Sequence, residues 1–386
     1  MSSGADDVRP TAAPGTGTVR QTTRRRRWLP SGKATAWAAA ALAVLALVTY
    51  ETKPLWQPWW YAATLCDGTL AAADLADVLP DERLQPGRND VSLEAGSLKC
   101  SVHRDDRHFV LSVRAQTDPA EVRRELAMAF TIPHEPDFVF LAGVPGFQDD
   151  LGPVILQECP GLGRDEKGSK RRLLTRVIGP STGETPDPAL LRIAVSAANS
   201  ASDGSGCGAK PLPLPEKTAH PEDRTLSLAA AAGTPCGWLT RTRLPENPSG
   251  KPWAVQARTT SGTPITSCAL IDPAKDRTAV EFNGWYGDWT DEPFETLLAA
   301  NVDYPDDLTA RGPMMAEHLG RATARCGDES ANFQAYSHMR ENEVTDRYLT
   351  GAQLRPLLNA FTKDQAHRRG CDGVELPGRT IHPMSD

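Results

Sequence analysis

The sequence predicts an α+β protein with one apolar amino-terminal helix and two tandem repeated modules, each an antiparallel sheet with helices and disulfides. Three observations lead to this prediction. Residues 34–50 carry no charged side chain. All eight cysteines follow that stretch, in two runs of four with similar spacing. Within each run, segments of alternating hydrophobicity are interleaved with segments of helical periodicity, which is typical of an α+β fold.

Residues 1–33 are rich in Ser, Thr, Gly, Pro and Arg and are predicted to form a disordered cytoplasmic tail. They hold seven basic and two acidic residues, a formal charge of +5. The whole chain carries −7, so the remaining residues carry −12. Because that larger part is acidic, we expect no nucleic-acid partner.

Residues 34–50 are predicted to be a transmembrane helix. A helix of this length rises about 25 Å, close to the thickness of a hydrocarbon core. The run Arg24–Arg27 precedes it, and an aromatic cluster at 56–61 follows it. Basic residues stay on the cytoplasmic side and Trp and Tyr prefer the lipid interface, so we predict a single-pass protein of the cell membrane with a cytoplasmic amino terminus, a juxtamembrane segment at 51–65 and an extracytoplasmic bulk.

Three alternatives to this anchor remain. The stretch is short enough for a buried core helix. A cleaved signal peptide would need a small-x-small site beyond the apolar run, where Glu51-Thr52-Lys53-Pro54 stands instead. Lipid attachment at Cys66 would need a small residue before it, and Leu65 occupies that position. An uncleaved anchor is favoured.

The cysteine spacing predicts a tandem duplication. The first four cysteines are separated by 34, 59 and 48 residues and the last four by 32, 58 and 45. Leu191-Arg192 precedes Gly206-Cys207 much as Leu354-Arg355 precedes Gly370-Cys371. We therefore predict a first repeat at 66–209, a proline-rich linker at 210–228 and a second repeat at 229–386.

An even number of cysteines beyond the predicted membrane segment indicates four disulfides. No close pair typical of a zinc site occurs, and neither free buried thiols nor redox-active thiols are favoured. Three pairings within each repeat are possible. In the pairing that we favour, each disulfide closes a loop of roughly 30 to 60 residues and stabilises the folded state by about 3–4 kcal/mol. The pairs are Cys66–Cys100, Cys159–Cys207, Cys236–Cys268 and Cys326–Cys371.

Secondary structure follows from periodicity and from the positions of proline. In the first repeat Asp118-Pro119 opens a helix, and Phe109, Leu111 and Val113 alternate on one face of a strand. The predicted elements are helix Leu70–Leu79, strand His108–Gln116, helix Ala120–Phe130, strands Pro153–Gln157 and Leu173–Ile178, and helix Pro188–Ala201. In the second repeat they are strands Trp253–Arg258, Thr266–Ile271 and Thr278–Phe282, helices Phe294–Ala300 and Gly312–Arg321, strand Asn332–Met339 and helix Ala352–His367.

One local cluster is a candidate binding site: Trp285, Tyr286, Asp288 and Trp289, on the glycine-rich segment 283–289. Aromatic rings beside an acid can stack on a sugar ring or hold a peptide. The favoured alternative is a hairpin turn with core tryptophans, because Asn283-Gly284 is a strong hairpin signal. The first repeat has no counterpart of this cluster.

No motif for catalysis, for a phosphate-binding loop or for a metal was found, and no cofactor is expected. The eight histidines are dispersed without ligand spacing. Asp303, Asp306 and Asp307 are close in sequence but lack the spacing of a calcium loop, so a charged loop is favoured there.

The segment from Cys66-Asp67-Gly68-Thr69-Leu70 through Cys100-Ser101-Val102 to the strand Phe109–Val113 resembles a family of exported actinobacterial lipoproteins of unknown function. The resemblance covers about fifty residues and recurs weakly around Cys236 and Cys268. It implies an exported α+β module and supplies no catalytic residues. This chain differs in lacking a lipid-attachment motif.

These observations predict a membrane-anchored extracytoplasmic protein that binds an envelope protein or a cell-wall glycan, in a cleft between the modules or at their surfaces. The alternative function is a surface hydrolase without a recognisable motif. A third possibility is a structural spacer. A deep cleft of convergent polar groups with shifted pKa values would favour the hydrolase, and exposed aromatic side chains would favour the binding protein.

Overall fold

The structure is a computed structural model that describes residues 32–104, 108–130, 144–149, 151–180, 187–216, 225–257, 264–302, 312–340 and 346–384. The amino-terminal tail, the middle of the linker and the acidic residues 303–307 lie outside the described residues or largely so. The chain divides into two units, Met1–Thr52 and Lys53–Asp386, and each is described by itself.

The first unit contains helix α1, Gly32–Glu51, whose large apolar side chains are exposed, including those of Trp37, Leu42 and Leu45. Among the described residues no single helix combines the length and hydropathy needed to cross a membrane; Ala36–Glu51 and Lys53–Gly68 meet that requirement only as a pair. The single spanning helix predicted at 34–50 is therefore not supported by the structure.

In the second unit, the first module begins with helices α2, Lys53–Thr64, and α3, Ala72–Val78. Strands β1, Gln85–Ser92, β2, Ser97–His103, and β3, Phe109–Gln116, then form an antiparallel meander. Helix α4, Pro119–Phe130, comes before a second meander in the chain, formed by β4, Gly146–Asp149, β5, Gly152–Glu158, and β6, Arg172–Ile178. Helix α5, Pro188–Gly204, closes the module, and Asp187 caps its amino terminus.

The second module contains β7, Thr225–Ser227, β8, Ala254–Ala257, β9, Ile265–Asp272, and β10, Arg277–Tyr286. Helix α6, Asp291–Asn301, is followed by β11, Met314–Met315, β12, Leu319–Cys326, and β13, Glu329–Ser337. Helix α7, Gly351–Arg369, has a capping box at Thr350 and Gln353, and β14, Asp372–Glu375, follows it.

Both modules have the same sheet topology. The first sheet has the order β1-β2-β3-β6-β5-β4, and the second contains the matching order β8-β9-β10-β13-β12-β11. The second sheet adds β7 beside β8 and β14 beside β12. All named strand pairs are antiparallel, and α5 and α7 occupy the same place in the chain order. A common strand order is what the predicted duplication requires.

The four disulfides join the cysteines that the sequence favoured, so the predicted connectivity is confirmed. Within the first module Cys66 pairs with Cys100 and Cys159 with Cys207. Within the second, Cys236 pairs with Cys268 and Cys326 with Cys371. The Cα atoms of the pairs are 4.0 to 5.6 Å apart. Each module therefore has one disulfide that ends on an equivalent strand, β2 or β9, and one disulfide near its closing helix.

Each sheet packs one face against its own closing helix. In the first module Leu173 and Val177 of β6 pack with the apolar side of α5. In the second, Phe282 and Phe333 pack with Phe361 of α7. The alternate residues of the same strands point to the opposite face, where the two modules meet.

One predicted helix is wrong. The sequence predicts a helix at Gly312–Arg321. Instead β11 and the start of β12 form a hairpin around Glu317 and His318, in which Ala316 N–H donates to Leu319 O at 2.7 Å. Pro313 restrains the start of the segment, and Met314 and Met315 extend the sheet by pairing with the edge of β12.

Candidate binding cleft between the two modules

A cleft of about 780 Å³ lies between the two modules. From the first module it is lined by the start of α4 and by residues 165–172, and from the second by the start of α6, by β12, β13 and β14. Its lining is mostly charged: basic side chains from both modules face acidic ones. Neither module alone contains this cleft.

The connection between β5 and β6 presents the basic side chains of the first module. Asp165 Oδ1 accepts hydrogen bonds from Lys167 N–H and Ser169 N–H, both at 2.9 Å. Gly168 adopts a φ of +82°, a conformation that L-residues rarely take. This tight turn places Lys167 and Lys170 toward the second module.

A buried polar network forms the wall of the second module. Arg321 on β12 is buried, and its guanidinium donates to Asn332 Oδ1 on β13, with the Nε contact at 3.0 Å. Asn332 Nδ2 in turn donates to Thr290 Oγ1 at 2.7 Å and to Asp291 Oδ1 at 2.8 Å. The network fixes the amino-terminal end of α6 against the sheet.

Ser330 continues this network to the carboxylates at the cleft surface. Its N–H donates to Asp288 Oδ1 at 2.8 Å, and its hydroxyl lies 3.0 Å from Asp288 Oδ1 and 2.8 Å from Asp291 Oδ2. Both carboxylates are held at the start of α6, where the helix dipole stabilises negative charge. Two acids therefore stand in fixed positions in the cleft wall.

At least six ion pairs join the modules, and in each of these six the cation comes from the first module. Lys170 Nζ lies 3.0 Å from Glu329 and 3.6 Å from Asp328. Arg123 Nε lies 3.0 Å from Glu292. The other three pairs are Arg164–Asp328, Lys167–Glu292 and Arg172–Glu329. The two modules are electrostatically complementary.

Hydrogen bonds from Lys170 to Glu158 and Glu329 raise the pKa of Lys170, and the charges of these two carboxylates add to the effect against the opposing influence of burial. The ammonium group therefore stays protonated over the physiological range. A general base needs the opposite shift, so Lys170 acts as a fixed cation.

Beneath the charged cleft, a cluster of buried apolar side chains joins the two modules. It contains residues of both modules: Val122, Leu126, Phe147, Val154, Leu156, Leu174, Ile265, Trp285, Trp289 and Phe294. The Trp285 ring contacts Phe147 edge-on, with centroids 5.7 Å apart. The modules consequently share a core in addition to their ion pairs.

The structure separates the four residues that the sequence offered as a binding cluster. Trp285 is 2% exposed and Trp289 is 7% exposed, so both tryptophans are core residues, as the alternative interpretation held. Trp289 still lines the cleft together with Asp288, whereas Trp285 and Tyr286 do not. Asn283 and Gly284 lie inside β10, so the hairpin turn inferred from them is wrong.

Tyr286 faces away from the cleft. The Arg369 guanidinium lies over its ring, 4.1 Å from the centroid, and its hydroxyl is 3.3 Å from Thr266 Oγ1. Burial raises the pKa of this phenol. Tyr286 therefore serves the packing of α7 on the sheet.

Sequence reasoning missed the charged residues that pair across the module junction beside the cleft. Lys170, Arg172, Asp328 and Glu329 lie at strand ends, where charged residues are usually solvated. Their sequence signal is their position at the start of equivalent strands: Lys170 to Arg172 at the start of β6, and Asp328 and Glu329 at the start of β13.

The fold and the cleft together define a class: a protein of two α+β modules, each braced by two disulfides, with a charged cleft at their junction. Comparison of the chain with protein-family models, with curated proteins and with solved structures found no match.

Proposed function

We propose that this chain is an extracytoplasmic binding protein of the cell envelope, anchored to the membrane by its amino-terminal apolar segment, and that it binds its partner in the cleft between the modules. The partner class is an envelope protein or a cell-wall glycan. The cleft is the observation that carries this proposal, because both modules are needed to form it.

The disulfides support export. Four bonds that account for all eight cysteines are characteristic of chains that mature in an oxidising compartment. The exposed apolar surface of α1 supports an anchor, since soluble proteins rarely expose a continuous apolar patch. The basic run before it favours a cytoplasmic amino terminus.

The chemistry of the cleft favours binding over hydrolysis. Asp288 and Asp291 are held by hydrogen bonds from Ser330 and Asn332, and Lys170 is held protonated by two carboxylates. Groups fixed in position by hydrogen bonds suit the recognition of a polar partner. Lys170, held protonated by those two carboxylates, is unsuited to act as the general base of a hydrolase.

The test is photo-crosslinking in intact cells. A photoreactive amino acid replaces Lys167, an exposed residue of the cleft, and in the control it replaces Lys251, an exposed residue that does not line the cleft. The proposal predicts a reproducible adduct from position 167 and none from position 251. Equal adducts at both positions, or none at position 167, would overturn it and would favour a spacer.

A further inference from the structure

Helix α2 has an unusual distribution of side chains. Gln57, Pro58 and Tyr61 are buried against the first module, while Leu55, Trp59 and Trp60 are 76%, 73% and 56% exposed. The polar Gln57 thus points inward, and two tryptophans point outward. Exposed tryptophans on one helix face mark an interaction surface.

The buried face of α2 is fixed to the module by specific bonds. Gln57 Nε2 donates to Glu82 O at 2.6 Å, and Gln57 Oε1 accepts from Leu84 N–H at 3.1 Å. Lys53 Nζ donates to Leu84 O at 2.5 Å. The outward orientation of the tryptophans is therefore a built feature of the module.

The carboxyl end of α2 is also fixed. Cys66 follows two residues after Thr64 and is bonded to Cys100 in β2. Cys66 N–H donates to Asn89 Oδ1 at 3.0 Å, and Asn89 Nδ2 donates to Thr64 O at 3.1 Å. A helix that is held at both ends cannot turn its aromatic face inward without breaking these bonds.

The sequence identifies what covers this face. Only Thr52 separates α2 from α1, so the aromatic face begins directly after the apolar segment. Trp and Tyr are the residues that settle at the level of lipid headgroups, and an amphipathic helix with such a face lies in the plane of the interface.

We propose that the face of α2 formed by Leu55, Trp59, Trp60 and Ala63 lies in the headgroup region of the lipid bilayer and sets the orientation of the first module relative to the membrane. This inference rests on the proposed anchoring. It assigns to α2 a role separate from the anchor, because α2 is part of the folded module.

Fluorescence quenching in vesicles tests the proposal. The full chain is reconstituted in phosphatidylcholine–phosphatidylglycerol vesicles whose acyl chains are brominated near the headgroup, and the quenched fraction of tryptophan emission is measured. In the double variant Trp59→Phe/Trp60→Phe the amount of emission that is quenched should fall by about two fifths, since these rings are two of the five tryptophans in or beside the apolar segment, Trp28, Trp37, Trp56, Trp59 and Trp60.

Two further variants separate the possible outcomes. Trp37→Phe removes a tryptophan of α1 and reports on the anchor. If Trp37→Phe lowers quenching but the double variant does not, the α2 proposal is overturned and the anchor survives. If neither variant changes quenching, both proposals fail. A photoreactive residue at position 60 that yields adducts of twice the chain mass would show that a second copy covers the face, and would also overturn the proposal.

Discussion

At the scale of the residue, Glu329 is the principal carboxylate of the module junction. It accepts from Arg172, and one of its oxygens lies 3.0 Å from Lys170 Nζ. The Arg172 and Glu329 side chains are only 10% and 14% exposed, so water screens their attraction weakly. Asp328, its neighbour, is largely exposed and makes comparable contacts at the rim.

We expect Glu329→Gln to lower the free energy of unfolding by about 2 kcal/mol, because it leaves two cations beside a neutral amide in a partly buried site. Urea denaturation with intact disulfides measures this change. The matched control is Asp328→Asn, whose exposed pairs should contribute little. An equal loss of unfolding free energy in the two variants would contradict the larger role given to Glu329.

His318 provides a pH prediction. Burial, followed by the charges of Arg347 and His338, lowers the pKa of His318 to about 4 from an ordinary 6.5. Since the folded state binds the proton less readily than the unfolded state, this residue adds stability above pH 6.5 that is lost as the pH falls toward 4. The free energy of unfolding, taken from unfolding curves between pH 4 and 6.5, should depend less steeply on pH in His318→Gln than in the unmodified protein. An unchanged slope of free energy against pH would contradict the assignment.

At the scale of the element, the β11–β12 hairpin depends on a close approach at Gly320. A Cβ there would come within 2.4 Å of Met315 Sδ and 2.8 Å of Leu358 Cδ2. Gly320 of β12 is thus packed between Met315 of β11 and Leu358 of α7. A side chain at position 320 must displace one of these two residues.

Gly320→Ala is expected to cost about 1–3 kcal/mol through overpacking. Gly312→Ala is the control, because nothing lies within 4 Å of a Cβ at that position. Thermal unfolding of both variants checks the prediction. A stable Gly320→Ala variant would mean that Met315 moves aside freely.

The disulfide Cys159–Cys207 connects the end of β5 to the end of α5. Replacing Cys159 and Cys207 by serine opens a loop of 48 residues and should cost about 3–4 kcal/mol. Hydrogen exchange should then increase mainly around α5 and the end of β5, which this bond joins. Uniform deprotection of both modules would contradict a local role.

Most elements were predictable where one strong local signal existed. Helix α7 follows from the run Ala352–His367, and α5 follows from Asp187-Pro188, which supplies both the cap and the first turn. Strand β3 follows from its alternating apolar residues. These signals depend on neighbours in the chain, so the sequence contains them directly.

The remainder depended on contacts distant in sequence. Helix α2 contains Pro54 and Pro58 and four aromatic residues, a composition that does not predict a helix, yet the bonds of Gln57 to residues 82–84 hold it in place. Likewise the cleft arises from pairs such as Arg172–Glu329, 157 residues apart. The membrane anchoring and the binding function remain predictions.

At the scale of the whole molecule, the modules are joined through equivalent elements. Helices α4 and α6, which occupy the same place in each module, contact each other. Arg172 and Glu329 are each the first residue of the matching strands β6 and β13, and they pair across the junction. Contacts between equivalent parts are typical of a two-fold related interface.

Because the junction has its own apolar core, we expect both modules to unfold in a single transition. Trp285→Ala should remove about 3–5 kcal/mol and split this transition into two, since Trp285 contacts both sides of the junction. Differential scanning calorimetry tests this. Trp238→Ala, inside the core of the second module, should weaken that module without uncoupling the pair. Two transitions in the unmodified protein would refute the coupling.

The division of charge at the junction has a consequence for the choice of partner between modules. Two modules with the same strand order could in principle pair with their counterparts in another polypeptide as well as with each other. Here the first module supplies cations and the second supplies carboxylates. Pairing two first modules or two second modules through this surface would bring like charges together, so the module tethered by the linker is the favoured partner.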